Sequence, residues 1–161
     1  MAKLLLDSLS WNAEKLLKRR KGAFDLVLAI FERPDGARTS LEFVCRASKS
    51  AGVSDQELLS ELGVEIANEA ATRGAVKVGV AFYGSKVKEI TRTVPPIETV
   101  SIAMPGVVLE IHSADLHQQA FRELIERPGG TTLAAMTEPI SIHEGPYMAV
   151  LKHVPQAMAA E

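Results

Sequence analysis

The chain has 161 residues, about the size of one ordinary domain, with 47% hydrophobic and 24% charged residues, a balance that excludes a disordered or collagen-like polypeptide. Its formal net charge of -2 argues against a nucleic-acid partner, since domains that bind nucleic acid carry a marked basic excess. The charge is uneven: residues 1–50 hold ten Lys and Arg against six Asp and Glu, the remainder eight against fourteen, so the halves stand at +4 and -6.

Cys45 is the only cysteine, which excludes an intramolecular disulfide and any all-cysteine metal site and fits a reducing compartment. The apolar start Leu4-Leu5-Leu6 runs at once into Asp7 and Ser8, too short for a signal-peptide core, and no apolar run approaches the roughly 20 residues of a membrane helix. The expectation is a single soluble, cytoplasmic domain over residues 1–161, with no membrane association.

In chain order, Leu5, Leu6, Leu9, Ala13, Leu16 and Leu17 recur at helical spacing and predict a helix from about Lys3 to Lys21. A later start near Trp11, at Ser8, Ser10 or Asn12, is the alternative. Lys15, Lys18, Arg19, Arg20 and Lys21 crowd its last turns, where cations complement the helix dipole, and Gly22 follows as a stop. Trp11 falls off the apolar stripe.

Residues 24–32, apolar on both alternating faces, predict a central strand. Pro34-Asp35-Gly36 then predicts a turn into a second strand, in which Leu41, Phe43 and Cys45 alternate with Ser40, Glu42 and Arg46. The two strands should form an antiparallel hairpin, with Cys45 as a buried, inert thiol. Ser54 and Glu57 form a capping box for a helix over residues 55–73 that buries Leu59, Leu62, Ile66 and Ala70 and closes at Gly74.

A second hairpin is expected next, with Val76, Val78, Val80 and Phe82 on one arm, a turn at Gly84-Ser85, and a bulge near Lys88 and Glu89 on the return. Beyond Pro95-Pro96, Val100, Ile102 and Met104 alternate, Pro105-Gly106 turns or kinks the chain, and Val107, Leu109 and Ile111 alternate again. Asp115 and Gln118 read as another capping box, for a helix over residues 115–127 carrying Leu116, Ala120, Phe121, Leu124 and Ile125 and ending at Pro128-Gly129-Gly130. Short strands around Ile140, Ile142, Val150 and Leu151 precede a frayed tail. The expected fold is α+β: a mainly antiparallel sheet with an N-terminal helix and two packing helices, and a weak ββαββ duplication.

Two polar groupings stand out. Glu110 and His112 project from the same face of a strand, opposite Leu109 and Ile111, with Asp115 and His117 just beyond. That donor set suits zinc, manganese or iron and motivates one reading, a metal-assisted hydrolase or lyase; the bland reading is a capped helix beside a solvated strand face. His143, Glu144 and Tyr147 gather around the turn Gly145-Pro146. There is no Walker lysine in Pro128-Gly129-Gly130-Thr131-Thr132, no dinucleotide fingerprint and no nucleophile elbow, so no cofactor is expected.

The favoured reading is a non-enzymatic small α+β module that binds a small molecule or a protein partner in a sheet-lined groove, with His112, His143, Glu144 and Tyr147 as the ligand-binding residues and no tightly held metal. Open sheet edges and oppositely charged halves lead us to expect a homodimer.

Overall fold

The computed structural model describes residues 4–20, 26–44, 55–91, 93–143 and 147. Its elements are α1 (Leu5–Arg20), β1 (Leu26–Glu32), β2 (Arg38–Val44), α2 (Asp55–Arg73), β3 (Lys77–Thr91), β4 (Thr99–Ser113), β5 (His117–Arg127), β6 (Gly130–Leu133) and β7 (Ile140–Ser141). All strands join one antiparallel sheet in the order β2-β1-β3-β4-β5-β6, with β7 also pairing β5. This is an α+β fold.

The first hairpin forms as its sequence demands. Glycine takes the left-handed conformation at Gly36 (φ 88°), Gly36 N–H donates to the Arg33 carbonyl at 2.9 Å, and Ala37 N–H donates to Asp35 Oδ1 at 2.9 Å. The resulting register sets Glu32 opposite Arg38 and Leu26 opposite Val44.

Both faces of the sheet are covered, and by different helices. On one face, Leu5, Leu9, Ala13, Leu16 and Leu17 of α1 pack against Leu28 and Ile30 of β1, Ala81 of β3, and Leu109 and Ile111 of β4. On the other, Leu62, Ile66 and Ala70 of α2 pack with Val27, Ala29, Phe31, Val78 and Val80. Because successive strand residues point to opposite faces, β1 must be apolar throughout, which is why its run carries no polar alternation. Helix α2 ends in a Schellman motif: Ala75 N–H donates to the Ala70 carbonyl, Gly74 N–H to the Ala71 carbonyl, and Gly74 has φ 65°. No helix among the described residues is long and apolar enough to cross a membrane.

The chain departs from the sequence expectation between residues 77 and 127. Gly84-Ser85 is not a turn and Pro105-Gly106 does not reverse the chain; β3 and β4 are each 15 residues long and pair in one unbroken register from Lys77↔Ser113 to Thr91↔Thr99. There is no bulge at Lys88 or Glu89. The turn of this hairpin carries Pro95-Pro96 instead, so the break expected there is its tip.

Gly84 and Gly106 face each other in the ladder and supply room rather than turn conformations. A Cβ at Gly106 would press on the Arg122 carbonyl oxygen and sit 2.5 Å from Phe121 Cζ; one at Gly84 would meet Val108 Cγ2 at 3.2 Å.

Residues 115–127 form no helix. From His117 they are strand β5, paired with β4 from His112↔His117 to Gly106↔Glu123. Asp115 caps nothing helical and lies in the β4–β5 turn, where Ser113 Oγ donates to its Oδ1 at 3.4 Å, while Gly130 (φ 134°) serves the β5–β6 turn. Leu116, Ala120, Phe121, Leu124 and Ile125 have helical spacing, but a strand under two apolar layers also needs apolar residues on both faces. Ala120 and Leu124 serve the α1 side and Phe121 the other. Arg122 anchors β5 to its surroundings, donating to the carbonyls of Ala134 and Leu133 and to Ser10 Oγ of α1. Without that second helix the ββαββ duplication falls away. The Ser54 cap, Cys45, Glu144, Val150 and Leu151 lie outside the described residues.

Replacing Gly106 with alanine should destabilise the fold by about 1–3 kcal/mol, because the new methyl meets backbone that cannot rotate aside. Gly84→Ala should cost under about 1 kcal/mol, since its nearest neighbour is a single side-chain methyl. Urea unfolding of the two variants side by side checks the ordering.

Candidate functional site

Strand β4 enters the covered part of the sheet at Gly106, and from there to His112 every residue is buried. Val107, Leu109 and Ile111 meet α1. Period two then turns Val108, Glu110 and His112 to the opposite face, and Glu110 and His112, expected on a solvated face, are only 3% and 0% exposed. A buried carboxylate requires partners, and neighbouring β5 provides them through its register, which sets Gln119 beside Glu110 and His117 beside His112.

The polar groups form a chain across the strands. Gln119 Nε2 donates to Glu110 Oε2 at 2.9 Å. Glu110 Oε1 lies 2.9 Å from His112 Nε2, and His112 Nδ1 lies 2.8 Å from His117 Nδ1. An ionised carboxylate only accepts, so His112 Nε2 carries the proton given to Glu110. With both rings neutral, His112 Nδ1 accepts from His117 Nδ1–H, and His117 Nε2 keeps its lone pair. The tautomers thus follow from one fixed charge.

Tyr147 is fully buried beside this chain, its ring centroid 5.5 Å from Phe82 and 6.5 Å from His112. It is a core aromatic, fully buried rather than lining an open groove. His143 is exposed and follows Ile142, whose N–H donates to the His117 carbonyl at 3.0 Å. The fold therefore brings together Glu110, His112, His117, His143 and Tyr147, which the sequence left as two separate groups. Asp115 is exposed in the adjoining turn. Among the described residues no group of three or more His, Cys, Asp or Glu is arranged to hold a metal ion, and both His112 ring nitrogens are committed to hydrogen bonds.

Next to the polar chain lies a half-open cleft of about 320 Å³, lined by Phe82, Val108, Phe121 and Ile140 with Gln119 and Glu138. Gln119 belongs to both, one amide group forming cleft wall while it holds Glu110. Thr137, also on the lining, accepts from Phe121 N–H through its hydroxyl at 2.9 Å and so fixes the segment that closes one side. Gln119, Phe82 and Phe121 escaped the sequence reading because they converge only through strand register; the pairing of residues 106–112 with 117–123 is the signal that would have found them.

Burial, and next the adjoining His112, hold the His117 imidazole below its ordinary pKa of 6.5; Glu110 and Asp115 oppose this, and His143 adds to the lowering. No family model, curated protein or solved structure matches the chain.

Two outcomes follow. Removing one partner of the buried pair, by Glu110→Ala or His112→Ala, should cost about 3 kcal/mol because the other polar group stays buried and loses its hydrogen bond. His117→Ala, at the half-buried end, should cost about 1 kcal/mol. Denaturant midpoints measure all three.

Because the folded pKa of His117 is lowered, the unfolded chain takes up the proton first as pH falls. Stability from this group is complete above about pH 6.5 and is lost as pH drops from there to the folded value. His117→Gln should flatten the pH dependence of the urea midpoint in that window.

Proposed function

We propose that this chain is a small-molecule-binding module, acting by binding rather than turnover, whose ligand sits in the cleft between Phe82 and Phe121. The observation that carries the reading is the sharing of Gln119 between the cleft wall and the buried Glu110–His112–His117 chain. A wall held from behind by a charge-assisted network is preorganised, which reduces the ordering cost of binding.

The lining also constrains the ligand. Phe82, Phe121, Val108 and Ile140 accept a flat apolar body, Glu138 offers a carboxylate, and among the described residues no Lys or Arg lines the cleft. Gln119 uses one Nε2–H on Glu110, which leaves its carbonyl oxygen to accept from an N–H of the ligand. Acceptors, a negative charge and aromatic faces favour a neutral or cationic compound bearing an N–H donor, such as an aromatic amine, over an anion. His143 lies at the solvent side of the neighbouring imidazoles, with Glu144 next in the chain, and His112 and Tyr147 support the site from within. The lone Cys45 fits a cytoplasmic setting for this role.

The metal-assisted alternative finds less support, because a metal would have to displace the hydrogen bonds that hold both His112 nitrogens.

Binding of a benzylamine-type fragment, followed by amide chemical shifts, tests the reading. Shifts should centre on Phe121 and Ile140 and be absent with the matching benzoate. Ile140→Trp, at an exposed position on the rim, should block binding without unfolding the protein, and Glu138→Gln should weaken it about three- to fivefold, the strength of an exposed charge pair. Failure of every amine and neutral fragment to perturb these residues would overturn the proposal.

A further inference from the structure

Beyond Gly84 and Gly106 the β3–β4 hairpin leaves the rest of the sheet. Strand β1 pairs with β3 only across residues 77–82, and β5 pairs with β4 only across 106–112. The ladder nevertheless continues to Thr91↔Thr99. Among the described residues, therefore, a two-stranded ribbon extends roughly 23 Å past Gly106, at about 3.3 Å per residue. Pro105 has no N–H to continue the pairing with β5, which departs there to pair with β6.

A free-standing two-stranded ribbon is marginally stable in water. This one also presents apolar groups to solvent: Val100 is 48% exposed, Ile102 43%, and Val94 and Ile97 at the tip 65% and 74%. Its two outer edges differ in chemistry. Along β3, the segment Ser85–Thr91 reads SKVKEIT, a charged sequence of the kind that guards sheet edges. Along β4, the segment Thr99–Pro105 reads TVSIAMP and holds no charged residue.

We propose that the β4 edge of this ribbon, Thr99 to Ala103, is a homodimer interface, pairing antiparallel with the same edge of a second copy about a two-fold axis near Ser101. Val100 then lies opposite Ile102 of the partner subunit, and Ile102 opposite the partner's Val100, forming an apolar quartet on one face of a four-stranded ribbon. Two-fold symmetry requires a self-complementary edge. The β4 edge, whose segment carries no charged residue, meets that requirement. This proposal is independent of the ligand cleft.

Light scattering across micromolar to millimolar concentrations tests it. The wild type should show twice the 17.4 kDa chain mass, while Ile102→Lys and, separately, Ser101→Pro should raise the dimer dissociation constant at least about tenfold, and Lys88→Gln on the opposite edge should leave it unchanged. Urea unfolding verifies that each variant keeps a cooperatively folded body; if either fails, Val100→Lys, at another exposed position, replaces it. A wild type of single-chain mass throughout, or a dimer that survives the folded β4 variants undiminished, overturns the proposal.

Discussion

A carboxylate buried in the middle of a sheet must be hydrogen-bonded, and much of this structure can be understood from how Glu110 meets that demand. Strand β4 is covered on both faces over its inner half, so the side chain alternating with Leu109 and Ile111 has no route to water. Its partners come from along its own strand, His112, and from the facing strand, Gln119. The second of these exists only if residues 117–123 run beside β4 in the observed register. Pairing by one residue more or less would turn His117 and Gln119 to the α1 side and leave the carboxylate stranded. The network thus selects both the strand state and the register of β5.

The same requirement gives the site its shape. Holding Gln119 against Glu110 sets Phe121, two residues along, over the space left by Gly106, and the cleft opens between that ring and Phe82. A side chain at position 106 would move the ring and backbone that form the wall. Here the glycine contributes an absent Cβ, and its backbone is ordinary strand. Stability and site are therefore coupled through a few contacts within two strands.

Local signals were enough wherever one element could be recognised by itself. The stripe of α1, the turn at Gly36, and the span of α2 with its Gly74 stop are encoded by periodicity and by residues that satisfy backbone geometry on the spot. Two kinds of region were not legible. Residues 115–127 carry apolar residues at helical spacing because a strand packed on two sides imposes no simple alternation, and the decision between states rests on distant partners. Gly84 and Pro105-Gly106 looked like chain reversals because their use for close packing and for ending a ladder depends on strands elsewhere. For the site, the sequence marked His112, His117, His143 and Tyr147 but not that the fold gathers them; nor did it show that the histidine and carboxylate are buried, which changes them from candidate metal ligands into a hydrogen-bonded chain.

The central claim is that an ionised, buried Glu110 orders the two imidazoles beside it. The direct measurement is imidazole nitrogen NMR on the folded protein at about pH 7.5, above the ordinary histidine range. The account expects His112 as the Nε2–H tautomer and His117 as the Nδ1–H tautomer, each shielded from exchange averaging, with His112 reverting to an averaged ring in a folded Glu110→Gln variant. A His117 ring carrying its proton on Nε2, or a His112 signal unaffected by the loss of the carboxylate, would contradict it.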